Sequence, residues 1–323
     1  MLVYDACPFL NENDLYELRI NQHWNFVDKF IVVEAAQTHT GCPKPFNFDK
    51  KKFDKYAEKL LYIQIDFDDV DFAKTDLLDG FTDSAADEWI LDNYQGNYFV
   101  RVLKELGAAD DDIIYASSLD EIIREDAFRE CMEIFKSTKD VKFPIKIPPN
   151  HPPHLQNYWR DCGNEGRLVR PIMGFYMDWY AYKFNLKSHV SCAMGNITEY
   201  STYKQILPAT MRHLALFTHS SIGTAEDPAG WHFTYSDNAD GGEILKKLDS
   251  YAHHADYLPG YEQYTKEKVI LEIITKHTLK KDEVVYEKFP KYLVNNLDKF
   301  KDWIFEGDFE EYTTSLRENN NDI

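Results

Sequence analysis

The sequence is poor in cysteine and in positive charge, and it has no long apolar run. Five cysteines occur in 323 residues, Cys7, Cys42, Cys131, Cys162 and Cys192. Their number is odd, they are widely scattered, and none forms a CxxC pair, so neither a zinc site nor a redox dithiol is indicated and a reducing, cytoplasmic setting is expected. Lys plus Arg total 36 against 55 Asp plus Glu, a net charge of -19. That charge would repel a phosphate backbone and argues against nucleic acid as a partner. No stretch reaches the roughly 20 apolar residues of a membrane span, and Met1-Leu2-Val3-Tyr4-Asp5 carries no basic segment ahead of an apolar one. A chain without membrane anchor or export signal is expected. Also missing are a Gly-x-Ser-x-Gly elbow, a GxGxxG after the first strand, and a Walker A loop, which leaves serine hydrolase, dinucleotide oxidoreductase and P-loop ATPase chemistry without support.

What is present is globular. Apolar residues make up 44%, and the aromatic share of 15% is enough for stacking surfaces as well as core. The runs Leu2 to Pro8 and Lys29 to Ala35 are rich in β-branched and aromatic residues and predict buried strands. Between them, Asn11-Glu12-Asn13-Asp14 offers cap chemistry before Leu15, Leu18 and Ile20 at helical spacing. A β-α-β opening of this kind predicts a parallel sheet in an α/β fold. Further strands are predicted at Leu60 to Ile65, Ile113 to Ala116, Gly174 to Phe184 and Ala209 to His219, with helices at about Ser84 to Leu106 and Arg124 to Phe135. A Pro-rich connection, Phe143 to Pro153, holds His151 and His154, which lack acid or cysteine partners and read as an exposed loop. From Tyr264 onward the chain turns helical and charged. The domain division expected is a catalytic domain over 1–258 and a helical extension over 259–323 packed on it.

Asp120-Glu121 follows the strand Ile113 to Ala116. Acids at the C-terminal end of a buried parallel strand stand where open α/β sheets bind ligands, and their oxygens suit Mg²⁺ or Mn²⁺ bridging a nucleotide diphosphate. On these residues alone, capping of the next helix is the favoured reading.

Several segments in order resemble glycosyltransferase family 17, the family of the bisecting β-1,4-N-acetylglucosaminyltransferases. These are Asp5-Ala6-Cys7-Pro8-Phe9-Leu10-Asn11-Glu12, Leu15 to Ile20, Val27 to Ala35, Thr40-Gly41-Cys42-Pro43-Lys44-Pro45, Asp111-Asp112-Ile113-Ile114 running into Asp120-Glu121-Ile122, Gly230-Trp231-His232-Phe233-Thr234-Tyr235, and Lys247 to His253. The resemblance covers about residues 2 to 256. It implies a GT-A-like, Rossmann-type nucleotide-sugar-binding core with a mainly parallel central sheet, a UDP-sugar donor, an inverting mechanism and commonly Mn²⁺. By the same resemblance, Glu34 would lie near the uridine or serve as a loop cap, Asp120 and His253 would meet the metal, and Arg19, Asp92, Ser118, Trp231 and His232 would belong to the nucleotide-sugar pocket. Trp231 would stack on a sugar or fill the core.

The chain departs from the family pattern at three places. Ser118 stands where the acidic motif has an aspartate, Gly96 stands where an arginine follows the glutamine, and Ala255 stands where relatives often carry an acid. A serine hydroxyl brings no charge to a cation, so metal affinity should fall.

Inverting transfer needs a base for the acceptor hydroxyl. Asp237, with Asp240 and Glu243 behind it, lies in the glycine-containing loop beside Trp231-His232 and is the expected source, although each acid also suits a turn or helix cap. The function expected is transfer of a sugar, foremost N-acetylglucosamine from its UDP donor, to a glycan hydroxyl. Alternatives are a transferase with another donor sugar and a carbohydrate-binding protein with a degenerate site.

Overall fold

The computed structural model describes residues 1–72, 74–78, 87–138, 140–143, 167–206, 208, 211, 221–238, 241–252 and 258–320. Its strands are β1 (Val3–Phe9), β2 (Lys29–Ala35), β3 (Leu60–Ile65), β4 (Ile113–Ala116), β5 (Glu121–Ile123), β6 (Val141–Phe143), β7 (Arg167–Val169), β8 (Met173–Tyr182), β9 (Leu186–Glu199), β10 (Ser221–Ile222), β11 (Gly230–Ser236) and β12 (Lys280–Lys281). One ten-stranded sheet runs in the order β3-β2-β1-β4-β9-β8-β11-β5, with β10 beside β8 and β12 beside β9; β6 and β7 pair separately. The β3-β2-β1-β4 half is parallel, and so is the β8–β11 junction. Antiparallel pairing enters where β9 joins β4 and β8, and where β5 closes on β11.

The opening follows from its residue pattern. In β1, Val3, Cys7 and Phe9 pack on one face of the sheet while Tyr4 and Ala6 pack on the other, as a strand with a two-residue period must when both faces are covered. The helix Asn13–His23 then buries Leu15, Tyr16, Leu18 and Ile20 against the first face. Glu12 does not cap it through its side chain. Its carboxylate turns back instead to accept from the Leu10 and Asn11 amides, each at 3.0 Å.

The fold departs from the sequence expectation in one helix and in one unanticipated strand. The single helix at about 84–106 is two helices, Asp87–Asn97 and Phe99–Glu105, and the break falls beside Gly96 and Asn97, two weak helix formers. Strand β9 carries Lys187, Ser188, His189, Ser191 and Asn196, so it lacks the apolar run that marks a buried strand. The strand expected at Ala209 to His219 lies almost wholly outside the described residues, as do His151 and His154.

The C-terminal segment is bound to the first helix and to the turn between β8 and β9. The Tyr292 hydroxyl donates to Glu17 at 2.8 Å, the Phe184 amide donates to the Trp303 carbonyl at 2.8 Å, and Lys183 Nζ donates to the Asp302 carbonyl at 2.8 Å.

Two glycines test the packing in opposite directions. A Cβ on Gly230 would stand 2.3 Å from the Ile122 carbonyl oxygen, where β11 meets β5, whereas a Cβ on Gly96 would meet nothing within 4 Å. Gly230→Ala should lower the unfolding free energy by about 2–3 kcal/mol, and Gly96→Ala should raise it by up to about 1 kcal/mol. Urea unfolding of the two variants checks both signs.

Candidate active site

A cleft of about 1000 Å³, counting space open to solvent, lies where β1, β2 and β4 end at their C-terminal edges and where β11 passes beside them. This is the edge at which open α/β sheets bind ligands. Asp120 lines it.

The loop that presents Asp120 is held from beneath. Arg19 is fully buried, and its Nη1 donates to the carbonyls of Ser118 at 2.7 Å, Leu119 at 3.2 Å and Glu121 at 2.9 Å. Nη2 donates to Asp5 Oδ1 at 2.6 Å and to Ser117 Oγ at 2.9 Å, and Nε also faces the Asp5 carboxylate. The far oxygen of Asp5 lies 2.6 Å from His23 Nδ1, while His23 Nε2 accepts from the Ile123 amide at 3.0 Å. Because an amide can only donate, Nδ1 carries the proton shared with Asp5. Burial pushes the His23 pKa down, so a neutral ring is favoured. Burial alone would raise the Asp5 carboxyl, but Arg19 and His23 outweigh it and hold it down to about 2. Arg19, expected in the nucleotide-sugar pocket, is therefore a support for the 117–123 loop and not a group that faces a ligand.

Asp120 is 5% exposed and has two different sides. Oδ2 accepts from Lys247 Nζ at 2.8 Å. Oδ1 has no hydrogen-bond partner among the described residues and lies 3.5 Å from His232 Nε2, beyond ordinary hydrogen-bond length. Burial pushes this carboxyl up, but Lys247 and His232 together hold it well below the usual carboxylate range. Glu121 pairs across the strands with His232, and the ligand atoms of Asp120, Glu121 and His232 all fall within 4.8 Å of one another. The unpartnered Asp120 oxygen and this convergence of two carboxylates and an imidazole fit a divalent cation such as Mn²⁺. Ser118, which lines the cleft, adds a neutral hydroxyl, and its carbonyl is already taken by Arg19.

The other end of the cleft is built by the loop after β2. The His39 amide donates to the Ser250 carbonyl at 2.9 Å, and the Thr40 hydroxyl donates to the Asp249 carbonyl at 2.8 Å, tying this loop to the helix Gly242–Ser250. Gln95 donates through Nε2 to the Val33 carbonyl at 2.9 Å, so its Oε1 must accept from His39 Nε2 at 2.7 Å. That leaves His39 Nδ1 facing Asp92 Oδ1 at 3.5 Å. Asp92 and His39 both line the cleft.

Other expected residues sit elsewhere. Glu34 is fully buried, accepting from Lys44 Nζ at 2.6 Å, the Asn47 and Phe48 amides at 2.6 and 3.2 Å, and the Tyr62 hydroxyl at 2.6 Å. It pins the loop that follows β2, as its loop-cap alternative requires, and does not line the cleft. Strand alternation separates Trp231 from His232. His232 and Thr234 face the cleft, whereas Trp231 packs in the core and donates from Nε1 to the Lys288 carbonyl at 2.6 Å. Asp237 is fully buried, and its Oδ2 accepts from the Glu243 and Ile244 amides at 2.8 and 3.3 Å. The expected base is therefore the cap of the helix Gly242–Ser250. Glu243 accepts from Asn11 Nδ2 at 2.8 Å and from Lys246 Nζ at 2.6 Å. Asp240 and His253 lie outside the described residues.

Sequence reasoning missed Lys247, His39, Gln95, Glu12 and the tyrosine pair at the cleft. Tyr235 has a left-handed backbone, φ 47°, at a register shift in β11. Its hydroxyl meets that of Tyr251, and Lys247 Nζ lies 5.4 Å from its ring centre. A non-glycine residue in this conformation stores strain of the kind that clusters at ligand sites.

Residues 1–145 match the family model of glycosyltransferase family 17. No curated protein matches the chain.

Two measurements follow from the geometry. The Asp5 carboxyl titrates lower folded than unfolded, so its stabilisation is complete above the unfolded pKa of about 3.9 and disappears as pH falls through about 2. Urea midpoints taken from pH 7 downward should fall through this window, and Asp5→Asn, less stable at neutral pH, should show a shallower fall. Asp237→Asn keeps an acceptor at the cap, so it should cost at most about 1 kcal/mol and leave turnover within about threefold of wild type, since a group acting as base would lose at least about 100-fold. A steady-state assay beside a thermal melt decides between cap and base.

Proposed function

We propose that this chain is a glycosyltransferase of family 17 that moves a sugar, N-acetylglucosamine foremost, from a UDP donor to a glycan hydroxyl with inversion, on a GT-A-like core. The match of residues 1–145 to the family model supports a glycosyltransferase with donor and acceptor substrates. The finer reading rests on Asp120, a buried carboxylate presented at the sheet's C-terminal edge into an open cleft with Lys247 and His232 beside it.

In this reading the nucleoside lies toward His39, Asp92 and Gln95, and the diphosphate lies toward Asp120. Asp120, Glu121 and His232 would hold Mn²⁺ or Mg²⁺, which when bound offsets charge on the leaving diphosphate. Lys247 brings a further positive charge to the same place. The Arg19 support keeps Asp120 at one position, which preserves these interactions for the charge that develops as the sugar leaves. With Asp237 committed to a helix cap, the base for the acceptor hydroxyl is Glu12, a cleft residue whose Oε2 is fixed by two backbone amides. Cys42 is free and exposed, which favours a reducing, cytoplasmic location. No helix among the described residues is long and apolar enough to cross a membrane.

A second reading, a nucleotide-sugar-binding protein without turnover, draws on Ser118 and on the ammonium already paired with Asp120. The two separate in one assay series, in which the protein is offered a panel of nucleotide sugars and free nucleotide is measured. Turnover of a UDP-sugar is expected. Asp120→Asn should reduce it by at least about 100-fold with an unchanged melting curve, and Glu12→Gln should lower kcat by about 100-fold or more. Full activity in the Asp120 variant would remove the role given to that residue, and UDP binding with no turnover of any donor would establish the second reading.

A further inference from the structure

Asp120 is shared between two cation sites that point in different directions. Oδ2 carries Lys247 at 2.8 Å, and Oδ1, buried and without a hydrogen-bond partner among the described residues, faces the convergence of His232 and Glu121. A divalent ion on Oδ1 would stand within a few ångströms of the Lys247 ammonium. Like charges so placed repel, and the carboxylate is too buried for water to screen them well.

Lys247 is also placed to change partners. Its helix, Gly242–Ser250, is fixed by buried Ile244 and Leu248. The side chain itself is 26% exposed, reaches into the cleft over the Tyr235 ring, and ends beside the position read above as that of the diphosphate. A four-carbon stem lets the ammonium leave a carboxylate for a nearby anion without moving the backbone.

We propose that Lys247 and a divalent cation oppose one another at Asp120, and that a nucleoside diphosphate resolves the opposition by giving the ammonium a new partner. Lys247 thereby weakens capture of free metal and couples metal binding to the donor. The inference rests on the placement of the diphosphate given above, but its first arm uses the metal alone. Coupling is reciprocal: whatever UDP does for Mn²⁺ affinity, Mn²⁺ does for UDP affinity.

The test is titration of the full chain with MnCl₂, read by calorimetry and by the electron-paramagnetic signal of free Mn²⁺, without and with saturating UDP. In wild type, UDP should tighten Mn²⁺ at least about tenfold. Lys247→Met should bind Mn²⁺ without UDP at least about tenfold more tightly than wild type, and UDP should add little further. Lys247→Arg, which keeps the charge, should stay close to wild type and guards against a folding defect in the first variant. Mn²⁺ affinity that is unchanged or weaker in a folded Lys247→Met protein overturns the inference, as does absence of Mn²⁺ binding in all three. If no variant binds UDP, with or without metal, the donor reading fails instead, and the metal-only comparison still decides whether Lys247 opposes the cation.

Discussion

The buried ion pair between Arg19 and Asp5 is the contact on which the rest of the site depends. It joins the first strand to the first helix, and through the guanidinium it also fixes three carbonyls of a loop about a hundred residues further on. Burying a charge pair costs desolvation energy that mutual attraction alone often fails to recover. Here the remaining donors of Arg19 all find acceptors, and the second oxygen of Asp5 has His23. The result is a small polar core beneath β1 whose geometry passes directly to Asp120. Removing any member would leave a charge or a carbonyl without its partner and release the loop, so stability and site geometry are linked through the same few atoms.

Much of the architecture was legible because period and composition agreed. β1, β2, β3 and β4 are apolar runs bounded by turn chemistry, and the helix between β1 and β2 buries Leu15, Leu18 and Ile20 as their spacing indicated. The support beneath the loop could also have been found. Asp5 is a charged residue inside an apolar strand, and Arg19 and His23 lie one turn apart on the buried side of the next helix. A charge where the pattern demands an apolar residue implies a partner of opposite sign, and the candidates were only 14 and 18 residues away. What hid Arg19's role was family resemblance, which grouped it with residues that meet a ligand.

The missed assignments share a different cause. Glu34 and Asp237 are acids at loop entrances, and sequence alone cannot say whether such a carboxylate faces a ligand or the backbone amides of the loop it begins. In both, the amides won: Glu34 holds 47–48, and Asp237 holds the start of the helix that follows Gly241, a residue with φ 92°. Trp231-His232 was read as one unit, but a strand sends neighbours to opposite faces, so only one of the two can serve the cleft. β9 escaped notice because its polar residues are matched by polar surroundings, including Asp178, which pairs with Lys187 at 2.6 Å, and not by an apolar face.

On the proposed nucleotide-sugar reading, the cleft reconciles an acidic chain with an anionic ligand by the way its cations are kept. Lys44 is bonded to Glu34 and Lys247 to Asp120. Each positive group thus has an internal carboxylate close by, which orients it and balances its charge within the roughly 8–10 Å over which surface charge is felt at physiological salt. The net charge of -19 is spread over the whole chain, whereas these pairs are local, and at short range the nearer charges dominate. A ligand with several negative oxygens need not meet a bare positive surface. It needs only to compete with single carboxylates for cations already aimed into the cleft, and Lys247, partly exposed and on a flexible stem, is the one best placed to be won.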